Sequence, residues 1–85
     1  MPNPFTNGTR MAYAVGTAGQ HVDIRVYDVA GRMVRTLVSE PRPAGRHSVA
    51  WDGRDAEGAR MRKGMYFVRL QIGDDTRMVR VTFLN

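Results

Sequence analysis

The side chains of QHVDIRVY, at residues 20–27, alternate between apolar and polar with a period of two. Val22, Ile24 and Val26 fall on one face of an extended chain, and the four positions that flank them fall on the other. Alternation of this kind is typical of a β-strand with one face against a core. We therefore predict a half-buried strand over these eight residues.

The same alternation recurs along the chain. It predicts further strands at 9–15, 32–38, 46–52, 65–72 and 77–84, with a seventh short strand near 59–62. Val34 and Leu37 do not share parity, so a β-bulge is needed to turn both of them inward. No window of ten or more residues shows a helical period. Short strands separated by turn residues indicate an all-β sandwich or barrel.

The inward positions of these strands form the predicted core. Trp51 is the single tryptophan, and its alternation with Val49 places it between the sheets rather than on a surface that stacks against a sugar ring. The predicted core comprises Met11, Tyr13, Val22, Ile24, Val26, Val34, Leu37, Val49, Trp51, Tyr66, Val68, Leu70, Val79, Val81 and Phe83.

Turn residues separate the strands. The segment DVAG at 28–31 has Asp at the first and Gly at the fourth position of a type I turn, and DAEG at 55–58 has the same form. The segment PRPAG at 41–45 predicts a stiff connection, because proline cannot pair within a central strand. The residues predicted to act as structural turn residues are Asp28, Gly31, Gly45, Asp52 and Gly53.

The composition bounds the function. Eighty-five residues suffice for one domain, and the absence of cysteine excludes disulfides, zinc fingers and thiolate nucleophiles. A net charge of +5, with Lys63 the only lysine among thirteen basic residues, raises the question of nucleic-acid binding. However, KGMYFVRL at 63–70 matches an RNA-recognition strand at four positions only and lacks two of its aromatic residues. We therefore expect no nucleic-acid partner.

Metal binding and catalysis have little support in the sequence. The acids at positions 52, 55 and 57 do not follow the spacing of a calcium loop, and Arg54 places a cation among them. Both histidines lie within predicted strands, and no serine has the context of a nucleophile. We expect a protein that is not an enzyme, with no catalytic residue, no metal and no cofactor.

Three arginines, Arg25, Arg69 and Arg80, alternate with apolar residues and so point outward. Outward arginines are usually a solvated face that discourages pairing at strand edges. A patch for docking an anionic surface is the alternative, and it requires several of them on one sheet. The sequence does not assign strands to sheets, so both interpretations stay open.

Four segments occur in a recognisable order: PNPF at 2–5, VYDVAGRMV at 26–34, AGRHSVAWDGRD at 44–55 and GMYFVRL at 64–70. This set resembles a family of bacterial Ig-like C-terminal domains. One branch of it is the Ig-like domain of the flagellar hook-capping protein. The other is the C-terminal sorting domain of proteins that Bacteroidetes export through the type IX secretion system. The resemblance implies an Ig-like, fibronectin-III-like antiparallel β-sandwich of about seven strands.

The basic run at 77–85 favours the sorting branch, because sorting domains end in a short strand that holds basic residues. This branch implies that residues 1–85 form one module of a larger secreted protein and direct it through the periplasm to the cell surface. The implied partners are the outer-membrane secretion machinery and an upstream cargo domain, without membrane insertion, and open strand edges allow weak self-association. The implied receptor-recognition residues are Arg77, Arg80, Gly64 and Tyr66.

The alternative function is an accessory binding or structural Ig-like module. Such a module contacts a polysaccharide or another protein, and the hook-cap type is one example of it.

Overall fold

The computed structural model describes residues 4–5 and 8–84 of the 85. Within these residues the chain forms strands and no helix, which confirms the predicted all-β class. The predicted strand over 20–27 is present with the same bounds. The seven strands are β1 (Pro4–Phe5), β2 (Thr9–Val15), β3 (Gln20–Tyr27), β4 (Met33–Arg42), β5 (Gly45–Trp51), β6 (Gly64–Ile72) and β7 (Asp75–Phe83).

The strands form two packed sheets. The larger sheet has the order β1-β7-β6-β3-β4, and the smaller consists of β2 and β5. Neighbouring strands are antiparallel except for the short β1, which pairs parallel to the end of β7. Each sheet turns its apolar positions toward the other, so the core lies between them.

Strand β4 pairs irregularly with β3, as the parity of its side chains predicted. The register shifts twice, and the residues that it skips are Val34 and Leu37. A skipped residue bends the strand locally and can re-aim its side chain. Both residues are partly buried and pack against the core.

Two predictions about the chain between the strands were wrong. The segment near 59–62 forms only an isolated bridge, between Arg54 and Arg60, and the seventh strand is β1 instead. The segment 41–45 is not wholly a connection, because Pro41 and Arg42 continue β4. Strand β4 is at the edge of its sheet, where proline is tolerated because only one side of the strand has to pair.

The aromatic residues dominate the centre of the core. Trp51 and Phe83 are fully buried, with ring centroids 6.3 Å apart, and Tyr66 meets Trp51 edge-on at 5.2 Å. The indole N–H of Trp51 donates to the carbonyl of Arg54 at 2.9 Å, so its polar atom is satisfied. Among the residues predicted for the core, three are only partly buried, and two hydrophobic side chains outside that set are buried. The partly buried residues are Val34, Leu37 and Val79, and the additional buried residues are Val15 and Val38.

Candidate interaction surface

The turn at Asp28 is built by its carboxylate. That carboxylate accepts hydrogen bonds from the backbone N–H groups of Ala30 and Arg32, each at 2.9 Å, and from the guanidinium of Arg32 at 3.2 Å. Gly31, at φ 83°, closes the turn by donating to the Asp28 carbonyl at 3.0 Å. Positive φ is the conformation that glycine adopts without steric cost.

The pKa of Asp28 lies below its ordinary value, mainly because the Arg32 N–H bonds to the charged carboxylate. A lowered folded-state pKa stabilises the protein above the unfolded-state pKa of about 3.9, and that contribution is lost as pH falls through the lower, folded-state value. We expect wild type to exceed Asp28→Asn in stability at neutral pH and to lose this advantage in acid.

Urea unfolding from about pH 7 down to about pH 2 measures the effect. Asp74→Asn, in the turn between β6 and β7, is the matched control because it changes net charge by the same amount. A difference between wild type and Asp28→Asn that stays constant over this range would contradict the assignment.

The second acidic turn repeats the first. The Asp55 carboxylate accepts from the N–H groups of Glu57 and Ala59 at 2.9 Å, and Gly58 donates to the Asp55 carbonyl at 3.1 Å. A shallow cleft of about 340 Å³ separates the two turns. Within residues 4–5 and 8–84, no three His, Asp or Glu side chains are grouped so that they could hold a metal ion.

The loop after β5 holds two more of the predicted turn residues. The Asp52 carboxylate accepts from the N–H of Arg54 at 3.0 Å and forms an ion pair with Arg35 at 2.7 Å. Gly53 has φ 77°, and a Cβ built on it would lie 2.9 Å from the ring of Phe83. Gly45 begins β5 with φ 128°.

The four receptor-recognition residues from the sequence analysis do not form one site. Tyr66 is buried, and its hydroxyl donates to the carbonyl of Arg62 at 2.7 Å. Burial raises the pKa of Tyr66, and the charge of Asp28 adds to this effect. A partner on the surface therefore cannot contact Tyr66 directly.

The remaining three residues lie apart. Arg77 is opposite the buried Leu70, on the core-facing side of β7, whereas Arg80 is opposite Phe67 on the outer side. The pairing of β7 with β6 is regular, so no bulge brings the two arginines to one face. Gly64, at φ 145°, begins β6.

The structure instead brings together residues that the sequence could not assign to one sheet. Strands β3, β6 and β7 are neighbours, and their outward side chains form two adjacent rows across the sheet. One row runs from Tyr27 through Phe67 to Arg80, and the other runs from Arg25 through Arg69 to Met78. We call this set the aromatic–arginine patch: Arg25, Tyr27, Phe67, Arg69, Met78 and Arg80.

Apolar residues extend the patch. Val29, in the turn after β3, is 71% exposed, and Met33, opposite Tyr27 on β4, is 53% exposed. A depression of about 370 Å³ lies between Val29, Tyr27, Phe67 and Met78. The sequence showed that Phe67 and Met78 point outward. It did not show which strands are neighbours in the sheet. The outcome is a sheet face that presents aromatic, thioether and cationic groups together.

Two packed sheets in which a short first strand joins the last strand define an Ig-like β-sandwich, a fold that serves in many interaction and structural domains. A sequence profile of the FlgD Ig-like domain matches residues 3–75. This chain therefore belongs to the FlgD Ig-like domain family. A search of curated proteins finds no match to this chain.

Two solved structures support this assignment. FlgD from Xanthomonas campestris, described in connection with hook capping in flagellar assembly, is 31% identical over 91% of this chain, with a TM-score of 0.68. FlgD from P. aeruginosa is 25% identical over 87% of this chain, with a TM-score of 0.63. The matches span 56% and 59% of those two proteins.

The family match corrects the choice of the sorting branch. Type IX export, the outer-membrane secretion machinery as partner, the location at the cell surface and the link to Bacteroidetes were wrong, because both the family and the solved structures are FlgD. The choice depended on the basic run at 77–85, whose two arginines point to opposite faces of β7. Among the described residues there is no helix suited to crossing a membrane.

Proposed function

We propose that residues 1–85 act as one structural, non-enzymatic module of a flagellar hook-capping protein. The observation that carries this proposal is the FlgD Ig-like profile match over residues 3–75, together with the likeness to FlgD of Xanthomonas campestris. The module would supply protein–protein contacts to the cap. It is the alternative function predicted from the sequence beside the sorting function.

The titratable groups of the structure agree with a structural role. The pKa of Asp28 is lowered by turn hydrogen bonds, that of Tyr66 is raised by burial, and that of Arg25 is raised mainly by its hydrogen bond to Asp23. Each shift follows from burial or from a local hydrogen bond. His47 likewise stacks on Tyr13 and bonds to the Pro43 carbonyl at 2.8 Å. These contacts support a scaffold rather than an acid–base site.

The proposal predicts a flagellar phenotype in the cell that makes this protein. An in-frame deletion of the codons for residues 8–84 should abolish swimming in soft agar and leave basal bodies without hooks in electron micrographs. Trp51→Ala, which damages the core, should reduce both swimming and the number of hooks. An immunoblot should show that the remaining protein is still made, and the intact gene should restore motility. Hooks of normal number and length in the deletion strain would refute the proposal.

A further inference from the structure

The aromatic–arginine patch contains a charge arrangement that the fold does not explain. Arg25 on β3 lies directly opposite Arg69 on β6. Like charges directly opposite each other on neighbouring strands are destabilising. Arg80 on β7 adds a third guanidinium to the same face, in the neighbouring row of the patch and opposite Phe67.

The carboxylates of this face only partly compensate for the arginines. Asp23 pairs with Arg25 at 2.7 Å, whereas Arg69 donates to the uncharged Gln71 at 2.8 Å. The outward side chains of residues 20–27, 64–72 and 75–83 therefore include three arginines and one carboxylate. The outward side chains of these strands carry an excess of two positive charges, and Asp28, which lines the depression beside them, is itself paired with Arg32. An anionic partner would neutralise this excess.

The apolar part of the patch indicates the kind of anion. Tyr27 pairs with Phe67 across the strands, and Met78, 59% exposed, is opposite Arg69. Val29 continues this surface with a side chain that is also largely exposed. The centres of protein–protein interfaces are enriched in aromatic residues, Met and Arg. Large apolar patches on the surface of a folded domain are often sites of such contacts.

We propose that the aromatic–arginine patch binds a protein partner whose contact segment presents carboxylates beside apolar side chains. The planar forks of Arg69 and Arg80 suit carboxylate oxygens, and Phe67 and Met78 supply the apolar contact. A second copy of this chain is disfavoured, because a two-fold interface would place the same arginines against each other. The inference stands on this face alone and does not depend on hook capping.

Peptide titration of the purified chain tests the proposal. The probe is a short synthetic peptide of glutamate, leucine and serine, and its partner probe carries glutamine in place of glutamate. Amide chemical shifts in ¹H–¹⁵N spectra at low salt should move around Phe67, Arg69 and Arg80 with the acidic peptide only. Added salt should weaken this binding, because charge interactions at an exposed face are screened.

Matched variants distinguish binding by the patch itself from a general effect of the positive charge of the chain. Arg69→Gln/Arg80→Gln should weaken binding by about tenfold or more, as expected when two charge-assisted contacts are lost. Arg10→Gln/Arg46→Gln removes the same charge from the smaller sheet and should change binding by less than about twofold. The first variant should also be at least as stable as wild type, because it relieves the opposition of Arg25 and Arg69.

Four outcomes of the peptide titrations would overturn the proposal. These are shifts mapped to the smaller sheet, equal binding of the two peptides, equal losses in the two double variants, and no shift with the acidic peptide at low salt. An oligothymidylate that binds this face more tightly than the acidic peptide would assign the patch to nucleic acid instead, since arginine and aromatic side chains also bind single strands. None of these results would bear on the hook phenotype of the deletion strain.

Discussion

Trp51→Ala is expected to lower the free energy of unfolding by about 3–5 kcal/mol, the cost of removing a large aromatic side chain from a packed core. Trp51 is fully buried and packs against Tyr66 and Phe83. Its loss also leaves the carbonyl of Arg54 without the indole N–H that bonds to it at 2.9 Å. Because small domains are only marginally stable, this change removes a large share of the total.

Urea unfolding followed by far-ultraviolet circular dichroism measures the effect, because the variant lacks the only tryptophan and hence its fluorescence. Val29→Ala, at a side chain 71% exposed, is the control and should change stability by less than about 0.5 kcal/mol. If Trp51→Ala does not fold at all, Trp51→Phe should give a smaller, measurable loss. A loss below about 1 kcal/mol in Trp51→Ala would contradict the central position of this residue.

Local patterns in the sequence were sufficient for six of the seven strands and most of the core. The strand Gln20–Tyr27 has the predicted bounds, because alternation along one strand reports directly which side chains are buried. The parity conflict of Val34 and Leu37 likewise predicted the irregular pairing of β4. Strand β1 could not be found this way, because two residues are too few to show an alternating pattern. The strand is defined only by its pairing with β7.

The interaction surface could not be predicted, because it depends on pairing between distant strands. Outward parity of Arg25, Arg69 and Arg80 was visible in the sequence, but their gathering on one face requires β3, β6 and β7 to be neighbours. The separation of Arg77 from Arg80 has a local cause instead. Arg77 and Arg80 are near in sequence, yet an odd separation along a regular strand puts them on opposite faces.

Gly53→Ala tests a close contact that the sequence signalled only as a turn. A Cβ at this position would lie 2.9 Å from Phe83 Cζ, and φ 77° is unfavourable for alanine. Left-handed backbone costs an L-residue about 1–2 kcal/mol, and forcing an atom into a packed core adds about 1–3 kcal/mol. We expect the two costs to add, because Phe83 is fully buried and has little room to retreat.

Gly58→Ala is the matched control for this prediction. Gly58 has φ 88° in the turn at Asp55, but a Cβ there would meet nothing within 4 Å. Gly58→Ala should therefore lose only the stability that the left-handed backbone costs. The difference in the free energy of unfolding between the two variants, measured in urea, isolates the contact with Phe83. Gly53→Ala combined with Phe83→Leu should be less destabilised than the sum of the single changes, because a smaller side chain makes room for the methyl group. Equal losses in the two glycine variants, or additivity in the double variant, would show that Phe83 does not restrict this position.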